Sequence, residues 1–157
     1  MNYQLYHGDC LEVMAGMLSE SVDLTVFSPP YDDIRIYGGN SNVNLPILGK
    51  ELFRLTKDGG IVCVVIQDGT KDFGKSMTTF SLAVDWVSQV GFKLFECVIY
   101  SRNGRPGAWW NKRFRVDHEY ILIFVKGAKP KTFNKEPLKI PAIHAGAKWH
   151  GTQRLTN

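Results

Sequence analysis

The sequence predicts an α/β fold, a layered sheet with helices packed on it. Three observations carry this. Short β-rich runs alternate with segments whose apolar residues recur at helical spacing. The run from Ile61 to Ile66 is continuously apolar, as in a strand buried on both faces of a parallel sheet, so helices are expected on both sides. At 157 residues the chain has room for one domain.

The elements follow in order. Tyr3 to Tyr6 is a short strand candidate. Asp9 stands three residues before Glu12, a helix N-cap with a capping box, and Leu11, Met14 and Leu18 continue at helical spacing. Val22 to Phe27 is a strand that must stop at Ser28-Pro29-Pro30, because proline lacks a donor and fixes φ. Leu45, Leu48, Leu52 and Leu55 mark a second helix, with Pro46 near its start and Gly59-Gly60 as its expected stop. After the strand Ile61 to Ile66, Phe80, Val84, Val87 and Val90 form a third helical stripe closed by Gly91. Lys93 to Tyr100 and Glu119 to Val125 read as two further strands, and strand–helix–strand crossovers are expected to be right-handed. Beyond Gly127 the periodicity ends: residues 128–157 hold Pro130, Pro137, Pro141 and many lysines, and are expected to be extended or disordered on their own.

Composition removes several classes. Hydrophobic residues make up 44% and charged residues 22%, ordinary for a folded soluble protein. The longest apolar runs are far short of the roughly 20 residues that span a bilayer. Met1-Asn2-Tyr3-Gln4 lacks the pattern of a secretory signal. Cys10, Cys63 and Cys97 are an odd number without a CxxC pair, which argues against a disulfide framework or a zinc knuckle. A cytoplasmic domain with no membrane partner and no metal is expected. The net charge of +4 conceals a split: residues 1–100 carry 7 Lys or Arg against 12 Asp or Glu, and residues 101–157 carry 12 against 3. So polar a chain suggests that the C-terminal third meets an anion, with nucleic acid the usual candidate; a solvated basic tail is the plainer reading.

Ser28-Pro29-Pro30-Tyr31 is the central chemical signal. It follows a buried strand directly, and in open α/β sheets ligands bind outside the carboxyl ends of the strands. A Pro-Pro step makes a stiff turn expected to aim the Pro29 carbonyl and the Ser28 hydroxyl the same way. Two acceptors held together suit an exocyclic NH2 group, which offers two donors. Tyr31 supplies a flat ring for stacking a base. A Pro-Pro turn with a packing tyrosine is the plainer alternative.

With these residues the sequence resembles the beta-class DNA amino-methyltransferases. The landmarks are Gly8-Asp9-Cys10, Val22-Asp23-Leu24, Ser28-Pro29-Pro30-Tyr31, Asp58-Gly59-Gly60 and His118-Glu119-Tyr120, so the likeness runs from about Tyr6 to Gly127. It implies a Rossmann-like methyltransferase sheet, here incomplete. It further implies methyl transfer from S-adenosylmethionine to the amine of a base flipped out of double-stranded DNA. Ser in the first position of the tetrapeptide favours N4 of cytosine over N6 of adenine. The resemblance assigns Ser28, Pro29, Pro30 and Tyr31 to catalysis, and Asp9, Cys10 and Ser28 to the cofactor. Asp9 reads equally well as a plain helix N-cap. His118-Glu119 matches a landmark near the target base, although as a bare pair it reads better as a strand-entry salt bridge. Asp68, before Gly69, reads as a turn-capping residue.

Residues 102–115 interleave basic and aromatic side chains. Arg102, Arg105, Trp109, Trp110, Lys112, Arg113 and Arg115 are candidates for gripping phosphates or base edges and for stacking. A surface loop whose tryptophans close over the core is the alternative, and Trp149 and His150 are weaker candidates of the same kind. The chain departs from the family in lacking a glycine-rich cofactor loop after a hydrophobic strand. That loop is expected from a missing C-terminal region or a second chain, with a degenerate protein as the third explanation. Residues 1–127 are therefore expected to form the catalytic subdomain and 128–157 the start of a target-recognition region. The incomplete sheet would leave an exposed edge open to aggregation or homo-oligomerisation.

Overall fold

A computed structural model describes residues 3–30, 43–102, 112, 114 and 116–140. The N-terminal residues set no strand: Tyr3, Leu5 and Tyr6 are exposed in irregular backbone, because no neighbouring strand among the described residues offers them a ladder. Helix α1 (Cys10–Ala15) starts as expected. The Asp9 carboxylate accepts from the backbone N–H of Leu11 at 2.8 Å and of Glu12 at 3.4 Å.

Strand β1 (Val22–Phe27) ends where the prolines begin. Helix α2 (Leu45–Leu55) is capped by Asn44, whose side chain accepts from Ile47 N–H at 3.1 Å. It does not run to Gly59-Gly60. Thr56 ends it by donating both its N–H and its hydroxyl to Leu52 O, and strand β2 (Thr56–Ile66) starts there. The two glycines lie inside β2 because another backbone comes close. Gly59, at φ 73°, donates to Lys126 O and accepts from Lys131 N–H, and a Cβ there would meet Lys131 at 2.9 Å. A two-strand hairpin, β3 (Thr70–Lys71) and β4 (Gly74–Lys75), then leads to α3 (Thr78–Asp85), which continues as a π-helical turn, Trp86–Val90, and closes on Gly91 at φ 103°. Strands β5 (Lys93–Ser101) and β6 (His118–Val125) complete the sheet. Residues 128–140 are irregular apart from a 3₁₀ turn, Glu136–Leu138.

The sheet order is β1-β2-β6-β5. β1 and β2 are parallel, joined through α2, while β6 is antiparallel to both of its neighbours. In β2 the even positions Val62, Val64 and Ile66 are buried, and the odd positions Ile61, Cys63 and Val65 only half so. This period of two puts one row under the helices. Leu48 and Leu52 of α2, Leu82 of α3, Trp86, Phe92, Leu122 and Phe124 pack on that row, with Leu11 and Met14 of α1 at its margin. Trp86 is fully buried, its ring 5.0 Å from Phe124, and its Nε1 donates to Leu45 O at 3.1 Å. Gly49 lies against that indole so closely that a Cβ would come within 2.5 Å of it.

The α/β sheet is thus as expected, but among the described residues all three helices share one face. The other face keeps Leu24 and Val26 58% and 62% exposed, beside the half-covered odd row of β2. That face is why β2 alternates in burial instead of being covered on both sides. No helix among the described residues is long and apolar enough to cross a membrane.

Candidate active site

Pairing fixes which residues gather at the carboxyl end of the parallel strands. Phe27 pairs with Val64, so the chain leaving β1 at Ser28 lies level with the last turns of β2. Ile66 in turn pairs with Tyr120 at the start of β6, and Ser101, at the end of β5, pairs with His118. Ser28-Pro29-Pro30, Gln67-Asp68-Gly69, the start of β6 and both ends of the segment between β5 and β6 therefore share one edge.

At this edge Ser28 is exposed, Pro29 buried and Pro30 half-buried. A cavity of about 240 Å³ opens on the same edge, past the end of β2, lined by Gln67, Asp68, Phe80, Phe114, His118 and Tyr120 among others. Its walls are aromatic and mutually braced. The Tyr120 ring stands edge-on to Phe80 at 5.6 Å and to His118 at 5.2 Å. Its floor is tied down by polar contacts. Gln67 Nε2 donates to His118 O at 3.0 Å, and the buried Asp68 accepts from Thr79 N–H at 2.8 Å, capping the first turn of α3.

Asp68 is thus a cap, but of the first turn of α3 and not of the turn at Gly69 that its position suggested. Asp9 also caps a helix, with Cys10 exposed as that helix's first residue. The salt bridge near His118-Glu119 is not between those two. Glu119 pairs with Arg102, while His118 Nδ1 lies 3.9 Å from Asp117 Oδ1. Glu119 is 9% exposed and the Arg102 side chain 31%, so a guanidinium expected from the sequence to grip DNA is drawn into the protein. Lys112 is exposed, and Phe114 is 96% exposed over the cavity. Tyr31, Arg105, Trp109, Trp110, Arg113, Arg115, Trp149 and His150 lie outside the described residues.

Among the described residues the basic C-terminal third does not keep to one face. β6 runs away from the site, so Lys126, and Lys131 beside Gly59, lie at the opposite edge of the sheet. There Lys126 Nζ donates to Thr56 O at 2.8 Å and reaches Glu20, and Lys139 pairs with Glu136. Phe80 is not a site residue in the sequence reading, Phe114 enters it only within the basic, aromatic segment, and Tyr120 only within the His118-Glu119-Tyr120 landmark. Period-two alternation along β6 would have found Tyr120, since it shares a face with His118.

A family described as DNA methylase, of the N6 and N4 type, matches residues 22–148. The orphan methyltransferase M.BamHII of Bacillus amyloliquefaciens is 40% identical over 114 residues, which are 73% of this chain and 42% of that protein. Among solved structures, TTHA0409 of Thermus thermophilus superposes with a TM-score of 0.63 at 26% identity, over 85% of this chain and 58% of that one. The cytosine-N4-specific PvuII DNA methyltransferase shares the fold with a TM-score of 0.65 at 23% identity, over 80% and 50%. The chain spans less than half the length of M.BamHII, 58% of TTHA0409 and half of the PvuII enzyme. On the match over residues 22–148 the chain belongs to the N6/N4 DNA methylase family.

Proposed function

We propose that this chain supplies the catalytic edge of an S-adenosylmethionine-dependent DNA methyltransferase that modifies an exocyclic amine, N4 of cytosine in preference to N6 of adenine. One observation carries the reading: Ser28-Pro29-Pro30 and a braced aromatic cavity share the carboxyl edge of the parallel strands. A base amine is a poor nucleophile because its lone pair is delocalised into the ring. Ser28 Oγ and the Pro29 carbonyl, by accepting both N–H bonds, localise that pair on nitrogen, and one of the protons is then lost to water. Tyr31 stacks on the flipped base, and Phe80, Phe114 and Tyr120 wall the space it enters.

S-adenosylmethionine, when bound, supplies a methyl carbon on a positively charged sulfur. The described residues fit only part of it. Asp9 and Cys10 at the start of α1, together with Ser28, offer polar contacts for its adenosine end, but no strand among the described residues opens into a helix through a glycine-rich turn. We assign that turn to a further C-terminal region or to a second chain, in keeping with the 42% of M.BamHII that this chain spans. Residues 1–127 are the catalytic subdomain and 128–157 the start of target recognition. Arg105, Trp109, Trp110, Lys112, Arg113 and Arg115 contact the duplex, because the segment that bears them leaves from Ser101 and returns at His118, both at the site edge. The setting is the bacterial or phage-infected cytoplasm, within restriction–modification or a related system.

A second reading is favoured by the same short span: a DNA-binding partner subunit without activity of its own. Tritiated methyl transfer from S-adenosylmethionine to unmethylated DNA separates the two. It is measured for the chain alone and after co-expression with the part of M.BamHII outside the matched segment, followed by digestion to nucleosides. Labelled N4-methylcytosine in either sample supports the proposal, and labelled N6-methyladenine reassigns the target. No transfer in both, with salt-sensitive DNA binding retained, supports the partner subunit.

A further inference from the structure

Burial is graded across the face of the sheet that carries no helix among the described residues. Paired residues share a face, so Leu24, Ile61 and Val125 form one row across β1, β2 and β6, and Val26, Cys63 and Ile123 form the next. Both rows are apolar. Val125 is buried and Ile61, Cys63 and Ile123 are half-buried, but Leu24 and Val26 are exposed. The rows continue onto β5 at Lys93 and Glu96, which pair with Val125 and Ile123, so on that side the apolar surface ends in charge. On the other side it runs out at β1, whose one partner strand among the described residues is β2. The most open part of an apolar face thus adjoins a strand edge whose outward N–H and C=O groups meet no ladder among the described residues.

The handedness of connections decides what fits there. β1 reaches β2 through α2, which packs on the side of Val62 and Val64. Crossovers between parallel strands are right-handed, and reversing the direction of travel across a sheet moves the crossover helix to the other face. A strand laid parallel to β1 on its outer edge, with crossovers leading away from β1, therefore puts a helix on the face of Leu24 and Val26. β1 then stands where the strand order reverses. In such sheets the ligand crevice lies at that point, outside the carboxyl ends of the strands, and Ser28 directly follows the end of β1 at Phe27.

We propose that the outer edge of β1, with the face of Leu24 and Val26 beside it, is the docking surface of a second polypeptide. That partner adds a strand parallel to β1 and lays an amphipathic helix on Leu24, Val26 and Cys63. More than half of M.BamHII lies outside the stretch that this chain matches, which is length enough for several strand–helix units of this kind. The docking surface follows from the sheet itself. Only the partner's role rests on the reading of the Ser28 edge as the site of methyl transfer: its strand ends level with Ser28 and brings the glycine-rich turn to it.

The test is co-expression of the full chain with the part of M.BamHII outside the matched segment, read by solubility and by co-elution on size exclusion. It compares wild type, Val26→Lys and, on the outer side of α3, Val84→Lys. Val26 and Val84 are both exposed, so the unfolding midpoints of the two variants alone should match wild type. Wild type and Val84→Lys are expected to hold the fragment in solution as a one-to-one complex. Val26→Lys is expected to lower the co-eluting fragment at least about tenfold, because a lysine covered there has no partner. In the wild-type complex, iodoacetamide labelling of Cys63 is expected to slow about tenfold, while Cys97, which pairs with Leu122 on the helix-bearing face, keeps its rate. A fragment that stays insoluble or elutes apart from wild type overturns the docking surface, as does a complex that Val26→Lys leaves intact with Cys63 still reactive. A chain that self-associates instead, and that Val26→Lys makes monomeric, overturns the partner and makes a second copy the occupant. Complex formation without methyl transfer upholds the docking surface and counts against the chemistry proposed for the edge.

Discussion

Replacing Arg102 by alanine separates a residue that holds the site together from one that touches DNA. Arg102 ends β5 and pairs with Glu119 of β6, and its backbone N–H donates to Asp117 O, so the two ends of the basic, aromatic segment are joined at this point. Breaking a fully buried pair costs about 3–5 kcal/mol, and an exposed one less than about 1 kcal/mol. The Glu119 side chain is 12% exposed and that of Arg102 31%, which places this pair between the limits, at about 2 kcal/mol. In a domain of this size that lowers Tm by roughly 4–8 °C. Urea unfolding of Arg102→Ala, Glu119→Gln and the double variant gives the coupling directly. In parallel, the salt dependence of DNA binding is expected to keep its wild-type slope in Arg102→Ala. A variant as stable as wild type whose slope falls by about one would show the guanidinium on a phosphate and refute the structural assignment.

Other substitutions probe other parts of the molecule. Gly49→Ala forces a methyl into the Trp86 indole and is expected to cost about 1–3 kcal/mol by urea unfolding; an unchanged midpoint would mean that α2 does not pack there. Asp9→Asn keeps a capping oxygen and should leave stability within a few tenths of a kcal/mol, whereas Asp9→Ala should lose about 1 kcal/mol. A drop in S-adenosylmethionine binding in the stable Asn variant would then isolate the carboxylate's part in holding cofactor. Burial raises the Cys63 thiol above its ordinary range, and burial with the nearby Glu96 raises Cys97. Iodoacetamide at pH 8 should therefore modify exposed Cys10 before Cys63, read by peptide mass mapping; preferential labelling of Cys63 would contradict its position in the sheet.

Much of the fold was legible because it depends on local rules. Asp9 caps, the prolines stop β1, and the leucines at 45, 48, 52 and 55 build one helical face, as residue type and spacing alone require. Misreadings arose where a distant segment decides. Gly59-Gly60 looks like a helix stop until Lys131 is seen to approach its backbone. Tyr3 to Tyr6 has strand composition without a strand among the described residues to pair with. The site was half legible. Ser28-Pro29-Pro30 announces itself by its position after a strand, whereas the cavity combines side chains from the segment after β2, from α3 and from β6 that only sheet order brings together. The charge split spreads over two edges for the same reason: the antiparallel β6 carries the chain to Lys126 at the far edge.

The proposed chemistry requires a flipped base to lie at the carboxyl edge of β1 and β2. The most direct test is photocrosslinking from 5-iodocytosine at the extrahelical position of a mismatched duplex, with the linked peptide identified by mass spectrometry. Linkage is predicted within residues 28–31, at the end of β1, or 114–120, on the aromatic cavity. Linkage confined to residues 126–139, at the opposite edge of the sheet, would contradict it.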